Sequence, residues 1–278
     1  MDIKKELREV AFKENDIDFL GIAPVDRFEN APEGHKPTDL LPKAQSVIVL
    51  GVKLPLGVIE ANHRAYEGLR HCIFTYMLYG YVKINERLDL VALRLVRYIE
   101  NKYGYKCFPI PSSVPRDEQA LMGLMSNRHA AVCAGLAEFG WNGLALRPDV
   151  GPRVRWVSIV TEMELPPDPL YSGPRLCDRS TCSICIDICP LNAISRDEKR
   201  ELKIGNLHFE YGVLNKMRCR CGVSGFTYST CGRKNKEIPE TMTADEWLGL
   251  SKKDNVWNKI ERIASMCGRC MIMCPIGK

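Results

Sequence analysis

Cys177-Asp-Arg-Ser-Thr-Cys182-Ser-Ile-Cys185-Ile-Asp-Ile-Cys189-Pro190 and, much further along, Cys267-Gly-Arg-Cys270-Met-Ile-Met-Cys274-Pro275 write one pattern twice. Each copy contains Cys-x2-Cys-x3-Cys-Pro, and the first adds Cys177 upstream. The chain has 13 cysteines in 278 residues, ten of them after residue 170. A disulfide scaffold does not suit an odd cysteine count in so long a chain. The opening Met1-Asp-Ile-Lys-Lys-Glu-Leu-Arg-Glu-Val10 mixes acids and bases as an amphipathic helix does and is not a secretion signal. The expected address is the cytoplasm, where clustered thiols ligate metal.

Spacing selects the metal. Two-cluster bacterial ferredoxins hold [4Fe–4S] cubes with a run ending Cys-x2-Cys-x3-Cys-Pro, the last cysteine ligating the other cube. Applied here, Cys177, Cys182, Cys185 and Cys274 hold one cluster. Cys267, Cys270 and Cys189 hold three corners of a second, and the fourth comes from Cys219, Cys221 or Cys231. Structural zinc also takes Cys-x-x-Cys pairs, but it needs four ligands, fewer than two Cys-Pro triplets offer. Cys177-x4-Cys182-x2-Cys185 matches the plant-type [2Fe–2S] run, whose remaining partner is a lone distant cysteine and not a second Cys-Pro motif. Cys72, Cys107 and Cys133 have apolar neighbours and read as core.

Upstream, the pattern is mixed α/β. Ile3, Leu7, Val10 and Ala11 share a helical face, and Phe19–Ala23, Ser46–Val52 and Arg155–Thr161 are apolar runs of buried-strand type. Residues 62 to 102 carry helical periodicity, clearest at Leu88, Val91, Ala92, Leu95, Val96 and Ile99, and Gly104 stops it. Pro166-Pro-Asp-Pro169 and Gly173-Pro174 make a stiff linker, dividing a domain of residues 1–170 from one of 171–278. Thr243-Ala-Asp-Glu246 is a capping box, and Val256, Ile260 and Ile263 form a later helix face.

Several classes drop out. No apolar run has the roughly 18 residues of a membrane span. No Walker loop, dinucleotide fingerprint or H-E-x-x-H occurs. Residues 151–278 hold 20 Lys and Arg against 15 Asp and Glu, while residues 1–150 hold 19 of each. With no run of five basic residues, this surplus reads as counter-charge to anionic clusters, and nucleic acid is not an expected partner. Of the five histidines, His129 stands out because it precedes a glycine-rich segment.

That segment, Ala134-Gly-Leu-Ala-Glu-Phe-Gly140-Trp-Asn-Gly143-Leu-Ala-Leu146, joins the cysteine motifs in a wider likeness. With Phe19–Val25, Leu41–Gly51 and Gly151–Glu162, it resembles the epoxyqueuosine reductase and reductive dehalogenase superfamily. The resemblance implies a nitroreductase-like, corrinoid-binding sheet domain flanked by helices, then a ferredoxin-like domain with two [4Fe–4S] clusters. Relatives supply the missing ligand from an Arg-Cys pair between the motifs, which Arg218-Cys219 matches. They hold cobalamin base-off through backbone contacts, which makes Gly135, Gly140 and Gly143 the expected lining. No histidine here stands two residues after an aspartate, so the Asp-x-His-x-x-Gly mode of cobalamin binding is excluded.

The chain also departs from the pattern. Epoxyqueuosine reductases carry a proton-donating Asp where this sequence has about Ile110, leaving Asp117 and His129 as catalytic candidates. Few residues follow Cys274, too few for a tRNA-binding helical domain, and no twin-arginine leader appears. The implied activity is an oxygen-sensitive reductase fed by a ferredoxin or flavodoxin. It would pass single electrons through the clusters to a corrinoid and on to a small substrate. The alternative is an electron carrier or reductive activator acting on a corrinoid protein.

Overall fold

The computed structural model describes residues 3–13, 17–113, 121–223, 243, 245–246 and 267–278. Its centre is a four-stranded sheet of β1 (Phe19–Pro24), β2 (Ser46–Lys53), β3 (Cys107–Ile110) and β6 (Val154–Thr161), in the order β1-β2-β6-β3. Every neighbouring pair is antiparallel, with Val47 opposite Val160 and Gly51 opposite Trp156.

The apolar runs that mark the strands follow from burial on both faces. On one face Leu20, Ile22, Ile48, Leu50, Val157 and Ile159 meet α1 (Ile3–Phe12) and α5 (Lys83–Tyr103). These helices present Leu7, Ala11, Leu88, Val91, Leu95 and Ile99, all 1% exposed or less. Each such aliphatic side chain contributes about 1.5–3 kcal/mol by leaving water. On the other face Ala23, Val47, Val49, Val160 and Trp156 pack against α6 (Asn127–Cys133) and Phe139.

The region from 62 to 102 is not one helix. After α2 (Pro37–Leu40), α3 spans Leu56–Tyr66 and breaks at Gly68, whose φ of +115° no helix accommodates. The chain resumes as α4 (Ile73–Met77), widens into a π-helical turn at Leu78–Val82, and runs on as α5. A side chain on Gly80 in that turn would meet Val58 of α3 at 2.8 Å, so the wide turn lets α3 lie close. Gly104, φ +74°, caps α5 as its position predicts.

Short β4 (Glu138–Phe139) and β5 (Ala145–Leu146) flank the glycine-rich turn. The linker is stitched down: the Asp168 backbone N–H donates to the Ile22 carbonyl (2.8 Å), its carboxylate accepts from the Ile22 N–H (2.9 Å), and Lys4 pairs with that carboxylate. Beyond it lie α7 (Ile184–Asp187), a hairpin of β7 (Ile194–Ile204) and β8 (Leu207–Leu214), α8 (Lys216–Val223) and α9 (Arg269–Ile272). The hairpin has no counterpart in the sequence expectations, and its Leu202, Ile204, Phe209 and Tyr211 join the core around Phe139. Thr243 and Glu246 make the reciprocal capping-box bonds, while Val256, Ile260 and Ile263 lie outside the described residues. Among the described residues no helix is long and apolar enough to cross a membrane.

Candidate metal centre

Both cysteine motifs sit where a loop enters a one-turn helix. Cys182 and Cys185 bracket the start of α7 and Cys189 follows its end; Cys267 and Cys270 bracket the start of α9 and Cys274 follows its end. Gly268, at φ +68°, makes the second turn.

Mutual electrostatics show which thiols the fold gathers. Burial pushes the Cys185 thiol up to about 12, and the charges of Cys177, Cys182 and Cys274 push the same way. Cys274 is raised by burial and feels Cys177 and Cys182. Burial drives Cys270 well above the ordinary thiol range, and Cys219, Cys267 and Cys189 drive it further, with Cys185 adding to them. Cys267 is raised by burial and feels Cys189. By these mutual charges Cys177, Cys182, Cys185 and Cys274 group together, and Cys189, Cys219 and Cys267 group around Cys270, on which Cys185 also acts. Burial raises the Cys221 thiol to about 11, and the charges of Arg220 and Arg218 oppose that rise. Cys231 lies outside the described residues.

Among the described residues no three His, Cys, Asp or Glu side chains close around a single ion. Tetrahedral zinc would draw its sulfurs to about 3.8 Å from one another. The outer corners of an iron–sulfur cube hold thiolates further apart.

The upstream domain grips the second motif by its carbonyls and the first by its backbone N–H groups. Arg153, 4% exposed, donates to the Cys274 carbonyl (2.9 Å) and to that of Ile276. Asn142 donates to the Cys270 carbonyl (3.2 Å), and Asn62 (3.3 Å) and Tyr66 donate to that of Cys267. The Glu138 carboxylate, its pKa raised by burial, accepts from the backbone N–H groups of Leu176 (2.8 Å) and Cys177 (3.4 Å). Two sulfurs receive backbone donors, Cys177 from Trp141 (3.3 Å) and Cys189 from Ala193 (3.2 Å). Trp141, Ile186 and Ile194 pack an apolar shell against Cys177, Cys185 and Cys270. Buried thiols, N–H donors on sulfur and an apolar wall suit iron–sulfur ligation, where such contacts set the reduction potential. Sequence reasoning missed Asn62, Tyr66, Glu138, Asn142 and Arg153, because a side chain that holds a distant carbonyl leaves no spacing to read.

No protein-family model matches the chain. Over 185 residues it is 28% identical to the epoxyqueuosine reductase of Staphylococcus aureus, an alignment covering 64% of this chain and 40% of that one. Over 69 residues it is 45% identical to a tetrachloroethene reductive dehalogenase of Desulfitobacterium hafniense, covering 24% of this chain and 12% of the relative. The epoxyqueuosine reductase structure from Streptococcus thermophilus superposes with a TM-score of 0.56 at 17% identity, over 100% of this chain and 66% of that one. In fold the chain is like the solved epoxyqueuosine reductases, and in sequence it is similar to epoxyqueuosine reductases and reductive dehalogenases. It spans less than two thirds of the length of either the curated or the solved epoxyqueuosine reductase.

The other expected site residues fall as follows. Gly135, φ +70°, approaches protein and not open space: a Cβ there would sit 1.9 Å from the Pro169 carbonyl oxygen. The side-chain space of Gly140 is filled by Leu146, at 2.7 Å. At both positions the space a side chain would take is filled by the chain itself. Gly143, φ +68°, faces Tyr211 (3.4 Å) and Arg128 (3.5 Å). His129 bonds through Nδ1 to Ser126 Oγ (2.7 Å) and through Nε2 to the Tyr211 hydroxyl (3.1 Å). Burial, then the charges of Arg128 and Arg200, lower its pKa to about 3, so its imidazole is neutral. Asp117 lies outside the described residues. Cys133 is buried as core, but Cys72 and Cys107 are only half-buried. Ile110 is 1% exposed inside the core.

Proposed function

We propose that the chain is an oxygen-sensitive iron–sulfur reductase that passes single electrons through two [4Fe–4S] clusters to a bound corrinoid and on to a small substrate. The observation that carries this reading is the crossed gathering of thiols. Cys274 joins Cys177, Cys182 and Cys185, and Cys189 joins Cys219, Cys267 and Cys270. These eight residues would hold the clusters, which when bound supply one-electron chemistry. The residues of this chain set the conditions for it: Trp141 and Ala193 donate N–H groups to sulfur, and Arg153, Asn142, Asn62 and Tyr66 fix the second motif against the sheet domain. The charge of Cys185 reaches Cys270, and both pack on the cluster of Trp141, Ile186 and Ile194, which supports short-range passage between the two sites. The electron donor in this reading is a ferredoxin or flavodoxin.

Ile110 favours a second reading. An apolar residue sealed in the core supplies no proton at the position where related reductases place an acid, as a pure electron carrier or reductive activator of a corrinoid protein would tolerate. Anaerobic purification followed by iron, zinc and cobalt analysis tests the cluster assignment, with about eight irons per chain expected. Stoichiometric zinc with little iron defeats it. Titration with cob(II)alamin, followed by EPR, separates the two readings: a base-off spectrum supports the reductase, and no binding by cluster-replete protein leaves the carrier.

A further inference from the structure

We propose that Arg128, Arg200 and Tyr211 form a binding site for an oxyanion, a phosphate or carboxylate group of a ligand, where the β7–β8 hairpin meets the glycine-rich turn. Directly opposed residues of an antiparallel pair point to the same face. Arg200 stands opposite Tyr211, and Leu202 opposite Phe209. Leu202, Phe209 and Tyr211 all pack on the sheet domain's core, so Arg200 projects from the inner face of the hairpin and not from its outer one. Arg128 arrives from α6. Its Nη1 donates to the Gly143 carbonyl (2.5 Å), and it and the Tyr211 ring flank the open side of Gly143, at 3.5 and 3.4 Å from where a Cβ would stand.

Both arginines thus act on His129, the hydrogen-bond partner of Tyr211, next to a residue with no side chain. Gly143 leaves room there, the Tyr211 hydroxyl is oriented by neutral His129, and one Arg128 bond to a carbonyl leaves most of its donors for a ligand. Among the described residues no carboxylate pairs with Arg200, whereas the outer-face Lys199 pairs with Glu201 and Glu210. Lys216 adds to the positive field: burial lowers its pKa, and Arg200 and Arg128 lower it further. Two guanidinium groups close together are stabilised by an anion, and the planar guanidinium fork fits phosphate or carboxylate oxygens. Arg128, Arg200 and Tyr211 are not candidate cluster ligands, so the site does not rest on the cluster assignment.

Isothermal titration of the full chain at low ionic strength, with inorganic phosphate and separately with acetate, tests it. Saturable binding is expected, weakened at least about fivefold by Arg200→Gln and unchanged by Lys199→Gln. Tighter phosphate binding points to a phosphate-bearing ligand and tighter acetate binding to a carboxylate-bearing one, and either supports the site. Absence of saturable binding by both anions overturns it. So does equal affinity in Arg200→Gln protein whose thermal unfolding matches that of the parent.

Discussion

The Arg153 guanidinium, buried in the sheet domain just before β6, donates to the carbonyl of Cys274 at 2.9 Å and so ties the start of that strand to the last cysteine of the second motif. Burial disfavours its charge and Cys274 favours it. Replacing it with methionine strands two carbonyls, those of Cys274 and Ile276, and should cost roughly 2–4 kcal/mol in urea unfolding. Loss of a buried cation should also make the neighbouring cluster harder to reduce, by on the order of tens of millivolts. An EPR-monitored redox titration showing the other cluster shifted, and this one not, would contradict the placement.

Ligand exchange gives a sharper test. Cys189→Ala should damage the cluster assigned to Cys219, Cys267 and Cys270 and spare the one assigned to Cys182 and Cys185, although Cys189 is their sequence neighbour. Cys219→Ala should do the same, because Cys219 acts on Cys270, whereas Cys221→Ala should leave both reduced-cluster EPR signals intact. Loss of the Cys182–Cys185 cluster in Cys189→Ala protein would show that each motif fills its own site.

Glycines of the chain differ in what a methyl group would do. Gly135→Ala combines a φ of +70° with a 1.9 Å approach to Pro169, and should destabilise by about 2–4 kcal/mol. Gly57, inside α3 with nothing within 4 Å, should gain up to about 1 kcal/mol as alanine. Chemical denaturation of both variants checks the pair, and a neutral Gly135→Ala would mean the linker does not pack there.

Much of this was legible in the chain. The strands at 19–24, 46–53 and 154–161 are buried on both faces, so their composition announced them, and the α5 face from Leu88 to Ile99 is read directly from its period. The break near Gly68 was not legible, because apolar periodicity continues across it while the backbone does not. The β7–β8 hairpin was hidden for a different reason. Ser195-Arg-Asp-Glu-Lys-Arg-Glu201 is almost wholly charged, and only packing on Phe139 makes a sheet of it. At the metal centre the thiols could be named from spacing, but the carbonyl-binding Arg153, Asn142 and Asn62 could not, since each acts on a backbone atom far away in sequence.

His129 gives the protein a pH dependence that can be assigned. In the fold its pKa is lowered to about 3, first by burial and then by Arg128 and Arg200, whereas an unfolded histidine takes up its proton near pH 6.5. Below that value the unfolded chain binds a proton the folded chain refuses. Stability therefore falls as pH drops through 6.5, with a slope approaching about 1.4 kcal/mol per pH unit. Between about pH 8 and 5.5 the loss integrates to roughly 1.4 kcal/mol. His129→Gln keeps a group able to accept from the Tyr211 hydroxyl but removes the titration, so its stability should be flatter over this range by that amount. Urea unfolding of both proteins at the two pH values decides the matter, and parallel pH profiles would mean that His129 is protonated in the folded protein.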